Sequence, residues 1–146
     1  MDVATFQGES DHALDDKNRL IVPARFRENI GTKFYLTRGY GGSCIWVFTI
    51  EQWKSFVASL DNRPQLDDEA MLLKRWFTST EVAPDTQGRF AIPQKLRQYA
   101  KIADGGRVVV VGTGVRIEIW AADEWDAYND NLSLEMVSKA AKAVGI

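Results

Sequence analysis

Apolar runs fall into two sets along the chain. FYLT (34–37) and IWVF (45–48) make the first, VVVV (108–111) and IEIW (117–120) the second. Short runs rich in β-branched and aromatic residues, joined by GYGGS (39–43) or GTG (112–114), predict paired strands. Ahead of each set lies a shorter apolar stretch, Leu20–Val22 or Phe90–Ile92, which predicts a short strand. Pro23 or Pro93 follows, where a first helical turn accepts proline. ARFREN or QKLRQYA then supplies a helix, ended by Gly31 or by Asp104-Gly105-Gly106. Beyond each set a helix starts, at Thr49-Ile50-Glu51 or at Ala122-Asp123-Glu124, with Thr49 suited to the N-cap and acidic residues in the first turn. DNRPQL (61–66) reads as a turn. DDEAMLLKRWFTST reads as a helix, acidic at Asp67–Glu69, basic at Lys74 and Arg75, and apolar at Met71, Leu72 and Trp76. SLEMVSKAAKAV reads as a tail helix with an apolar stripe at Met136, Val137, Ala140, Ala141 and Val144.

The two sets are copies of one another. DDKNRLIVPARFR (15–27) aligns without a gap on DTQGRFAIPQKLR (85–97), an offset of 70 residues. Asp15, Arg19, Pro23 and Arg27 fall on Asp85, Arg89, Pro93 and Arg97. Trp53 and Trp125 continue the match 72 residues apart, so the second copy carries two extra residues in its loops. An internal repeat takes precedence in deciding a fold. It divides the chain into a first unit (6–53), a helical connection (54–81), a second unit (82–125) and a helical tail (126–146). Neither unit is long enough to build a large core alone, so the two are expected to pack together with a pseudo-twofold relation. The fold class is α+β: two tandem β-rich repeats with connecting and C-terminal helices.

The turn at the head of each copy is the candidate site. Asp15 and Asp85 can accept hydrogen bonds from turn amides. The fourth position needs positive φ, which Gly88 takes freely and Asn18 tolerates. Arg19 and Arg89 can pair with these aspartates or reach outward. Lys17 lies at the tip of the first turn, with Arg25 and Arg27 on the helix that follows. A β-turn carrying Lys and Arg suits double-stranded DNA, because Arg bonds guanine bidentately and a β-ribbon fits the major groove. In the second copy Gln87 replaces Lys17 and Gln94 replaces Ala24, so the first copy is expected to dominate. The candidate DNA-binding residues are Lys17, Arg19, Arg25, Arg27 and Arg89.

A net charge of −2 does not argue against this. Leu14–Arg38 holds six Lys/Arg against three Asp/Glu, and Asp85–Arg107 five against two. Two windows at +3 in a chain of −2 leave −8 for the rest, and local sign steers a polyanion.

At 146 residues the chain can hold one medium domain or two small ones, with an ordinary 45% of hydrophobic residues. No run of about 18 apolar residues exists, so no membrane partner is expected. MDVATFQGESDH lacks the basic and apolar regions of a signal peptide, which makes the cytoplasm the default compartment. Cys44 is the one cysteine and His12 the one histidine, so neither a disulfide nor a zinc site is expected. His12 beside Asp11 is expected on a strand edge. GYGGSC lacks the Lys-Ser/Thr of a phosphate loop, and Ser43, Cys44 and His12 offer no catalytic set. Asp67 and Asp68 suit a helix start better than acid–base work. No enzyme activity and no cofactor are therefore expected. Trp46, Trp53, Trp76, Trp120 and Trp125 suit core or subunit packing.

The string D-x-x-[GN]-R-hydrophobic-x-[VI]-P-x-x-[LF]-R resembles the motif of AbrB-like (SpoVT/AbrB), swapped-hairpin DNA-binding domains. Its doubling, with FQG (6–8) ahead of the first copy, resembles the MraZ family of bacterial transcriptional regulators. The resemblance runs from Phe6 to about Trp125, and Asn18 departs from it where the family usually has Gly. It implies tandem AbrB-like units and a ring-shaped homo-oligomer, an octamer or dodecamer. It also implies association with the nucleoid and binding to repeated boxes in the promoter of the protein's own division and cell-wall gene cluster. Repression is the sign it implies. By motif matching, Lys17 and Arg19 carry the DNA contacts, with Arg25 and Arg27 nearby. The alternative reading is a non-catalytic, oligomeric protein-interaction module of antitoxin-like type, with which the acidic remainder is compatible.

Overall fold

The computed structural model describes residues 5–62 and 67–146. Most of the turn expected at DNRPQL, and the start of the N-terminal stretch, lie outside the described residues. In chain order the first repeat and its connection contain β1 (Phe6–Ala13), β2 (Arg19–Ile21), α1 (Ala24–Ile30), β3 (Phe34–Arg38), β4 (Ile45–Thr49), α2 (Ile50–Asp61) and α3 (Asp68–Trp76). The second contains β5 (Thr80–Val82), β6 (Arg89–Ala91), α4 (Gln94–Tyr99), β7 (Arg107–Gly114), β8 (Ile117–Ala121), α5 (Ala122–Asp130) and α6 (Leu134–Ala143).

The strands that flank the repeated turns find no partner in their own repeat. β1 pairs antiparallel with β7, β5 with β3, and β2 with β6. The result is a six-stranded sheet in the order β1-β7-β8-β4-β3-β5 and a two-stranded ladder of β2 and β6. Both are built across the repeat boundary. In the small ladder Leu20 faces Phe90, its own counterpart. At the centre of the large sheet Trp46 faces Glu118, again a residue and its copy. These two pairings mark the pseudo-twofold axis, and the α+β class expected from the pattern is the class observed.

Both faces of the large sheet are covered, which is why its inner strands read as unbroken apolar runs rather than as alternations. Against one face lie the β2–β6 ladder, α1 and α4. They bury Leu20, Phe26, Phe90 and Ile92 on Phe34, Leu36, Ile45, Val47, Val108 and Val110. Phe34 of one repeat meets Phe90 of the other edge to face at 5.0 Å. Against the opposite face α2, α5 and the end of α3 bring Trp53, Phe56, Phe77 and Trp125 onto Trp46, Phe48, Val109, Val111 and Trp120. The five tryptophans are thus core or core-flanking groups.

Helix starts follow the local chemistry. The Thr49 hydroxyl accepts from Gln52 N–H at 3.2 Å, the Asp67 carboxylate from Glu69 and Ala70, and the Ser133 hydroxyl from Met136. Pro23 and Pro93 precede their helices as N-cap residues with extended ψ, 137° and 142°, one position earlier than a first-turn proline. Gly31 ends α1, with φ 83°. α4 stops earlier than Asp104-Gly105-Gly106, because Ala100 closes it and Lys101 itself takes the left-handed turn at φ 61°. α6 keeps no residue buried; Leu134 is 86% and Val144 73% exposed.

The interlocked strands predict that the two repeats unfold as one cooperative unit. Leu20→Ala, on the axis, should cost about 2–5 kcal/mol and lower a single calorimetric transition. Two separable transitions would show that the repeats melt independently.

Candidate nucleic-acid interface

Each turn is closed by the same five hydrogen bonds. In the first, Asn18 N–H donates to the Asp15 carbonyl at 3.0 Å and Asp15 N–H to the Arg19 carbonyl at 3.1 Å. Asp15 Oδ1 accepts from the amides of Lys17 (2.9 Å) and Arg19 (2.8 Å), and Oδ2 accepts from Arg19 Nε at 2.8 Å. The second turn reproduces the set with Asp85, Gln87, Gly88 and Arg89, at distances of 2.9 to 3.0 Å. Asn18 at φ 56° and Gly88 at φ 80° occupy the left-handed position. The turns are hairpin-like locally, yet the strands leaving them separate to pair with the other repeat.

The backbone amides of Arg19 and Arg89 are the main cause that holds the Asp15 and Asp85 carboxyls below their ordinary range, with the guanidinium bonds adding to them. Both arginines are paired within the turn through Nε. Lys17 is exposed at the apex, and its ammonium has no ion pair or hydrogen bond among the described residues.

The exchange of strands scatters the remaining candidates. Arg27 donates Nε to the Val22 carbonyl at 3.0 Å, and its guanidinium lies against Gly88, where a methyl group would stand 3.1 Å from Cζ. It therefore belongs to the turn of the other repeat. Arg25 reaches over β1, where any side chain at Gly8 would collide with its Nη1. So Lys17 and Arg19 share the first turn, Arg27 and Arg89 the second, and Arg25 lies apart. Arg97 was legible from the alignment with Arg27 but is absent from the candidates; it donates Nη1 to the Ile92 carbonyl at 3.3 Å, where Arg27 donates Nε to Val22. Because β2 and β6 run antiparallel and each turn directly precedes its strand, the turns sit at opposite ends of the ladder.

The Cys44 thiol is buried, which pushes its pKa up to about 12, so it is no nucleophile near neutrality. His12 lies on edge strand β1, its Nε2 2.7 Å from Ser10 Oγ, and burial chiefly lowers its pKa. Among the described residues no group of three or more His, Cys, Asp or Glu is placed to hold a metal, and no helix is long and apolar enough to cross a membrane.

A family model described as "MraZ protein, putative antitoxin-like" matches twice, over residues 5–76 and 77–145. A protein named Transcriptional regulator MraZ from Alkaliphilus metalliredigens is 40% identical over 145 residues, covering 97% of this chain and 99% of that protein. Its namesake from Clostridium tetani is 38% identical over 97% of this chain and 99% of its own. That from Lactiplantibacillus plantarum is 45% identical over 84% and 86%.

A depressed carboxyl stabilises its turn above the ordinary carboxylate pKa of about 3.9 and loses that contribution as pH falls through the folded value. The amide signals of Lys17 and Arg19, followed by NMR from pH 6 to pH 2, should therefore move only below about pH 4. An inflection above that would refute the bonding described. Asp15→Ala should abolish the step.

Proposed function

Because the chain belongs to the MraZ family, we propose that it is a sequence-specific, DNA-binding transcriptional regulator and no enzyme. The observation that carries this reading is Lys17: an ammonium with no partner among the described residues, at the apex of a turn closed by five hydrogen bonds. A flexible cation on a rigid tip suits phosphate contact. Arg19 lies beside it and can turn its remaining guanidinium N–H groups to a base edge. Arg25, Arg27 and Arg89 are secondary contacts of the same kind. The relatives' shared name supports the regulatory role.

One turn makes few phosphate contacts, and binding of that order is weak, with Kd about 10⁻⁴ to 10⁻⁶ M. The turns of one chain lie at opposite ends of the β2–β6 ladder, so several first turns can face one duplex only if several chains assemble. A ring homo-oligomer meeting repeated promoter boxes gains roughly 10²–10⁴ in affinity through multivalency. The exposed apolar stripe of α6 is a surface available for such assembly. We further propose the octamer or dodecamer, the promoter of the division and cell-wall gene cluster, the cytoplasmic nucleoid location and the repressor sign, all on the resemblance alone.

A second reading, an antitoxin-like module that grips a protein, draws on a groove of about 590 Å³ between β1 and α5, lined by Glu9, Asp11, Trp125 and Asp126. The test is a salt titration of binding to duplex DNA from upstream of the protein's own gene, beside a shuffled duplex. Log K should fall steeply with log salt, by about 0.9 per phosphate neutralised. Lys17→Ala/Arg19→Ala should weaken binding to the native duplex at least tenfold. Equal, weak binding to both duplexes by wild type and variant would favour the protein partner.

A further inference from the structure

Two of the differences between the repeats meet in space. The first is the left-handed position of the turn, Asn18 in one copy and Gly88 in the other. The second is the loop between helix and sheet. Three residues (31–33) join α1 to β3, whereas seven (100–106) join α4 to β7. The longer loop brings Asp104 and Gly105 to the first turn. Asn18 Nδ2 donates to Asp104 Oδ1 at 3.2 Å, and Asn18 Oδ1 accepts from Gly105 N–H at 3.0 Å. Gly88 has no side chain to do the same, and there the Arg27 guanidinium covers the glycine instead.

Position 18 does not require a side chain, since glycine takes positive φ more readily than asparagine. What asparagine adds is a two-point tether, donor and acceptor together, between the first turn and the second repeat. The neighbouring residues are Lys17 and Arg19. We infer that Asn18 is a positioning residue: it holds the Lys17–Arg19 tip in one orientation against the 103–106 loop, so that the first turn discriminates among DNA sequences. This inference rests on the DNA-binding reading of that turn.

The full-length chain is titrated with the upstream duplex and its shuffled counterpart at several salt concentrations. Asn18→Gly should weaken binding to the upstream duplex by about threefold to tenfold, the range that one or two exposed hydrogen bonds support. Binding to shuffled DNA and the salt slope should stay unchanged, because no cation is removed; Lys17→Ala, by contrast, should reduce the slope by about 1. The melting temperature should fall by a few degrees at most, as glycine fits the positive φ and offsets part of the two lost bonds. Asn18→Asp should also weaken specific binding, by setting a carboxylate against Asp104, and Asn18→Asp/Asp104→Asn should restore it by reversing the bond. Wild-type discrimination by Asn18→Gly, with Lys17→Ala/Arg19→Ala still defective, would overturn the positioning role and leave the DNA reading intact. A proportional loss on both duplexes with a larger fall in melting temperature, unrescued by the reversed pair, would make the tether structural and equally overturn it. Unimpaired binding by Lys17→Ala/Arg19→Ala would remove the DNA reading of the turn, and the inference with it.

Discussion

The pairing of β2 with β6 is the constraint on which the rest depends. Each is three residues long, too short to stand alone, and each is the other's only ladder partner among the described residues. With Leu20 opposite Phe90, the strand that precedes each, β1 or β5, lies against the other repeat. The edge strands are paired accordingly, β1 with β7 and β5 with β3. The apolar core between ladder and sheet is therefore shared property. Phe34 and Phe90, in edge-to-face contact, come from different repeats.

The same constraint shapes the basic surface. A carboxylate at the head of each turn takes two amides and one guanidinium nitrogen, which leaves the turn stiff and its arginine oriented. The exchange then places the helix arginine of one repeat on the turn of the other, as Arg27 on Gly88. Each basic tip is thus a composite of both copies. Their electrostatics differ accordingly: the first carries Lys17 but also Asp16 and Asp104, while the second lacks the lysine and gains Arg27.

The elements were legible because each carries a local signal. Thr49, Asp67 and Ser133 act within one helical turn, and Asp15 with Asn18 or Asp85 with Gly88 acts within five residues. The strand partners were not legible, because period and composition identify a strand without saying which edge it meets. That is why Arg25 and Arg27, neighbours of Lys17 along the chain, lie elsewhere in space. It is also why the bond between Asn18 and Gly105, 87 residues apart, left no trace in the pattern. The end of α4 was misplaced for a different reason. Lys101 adopts a backbone conformation that glycine would have advertised.

A twofold unit can be built from two identical chains or from one chain that contains the unit twice. In the first case every substitution appears at both turns, and a side chain useful at one must be tolerated at the other. Joining the copies through α2 and α3 removes that obligation. Asparagine can stand at one turn and glycine at the other, and one loop can lengthen while its twin stays short. The covalent connection thus leaves each half free to diverge in sequence, although their strands remain paired across the repeat boundary.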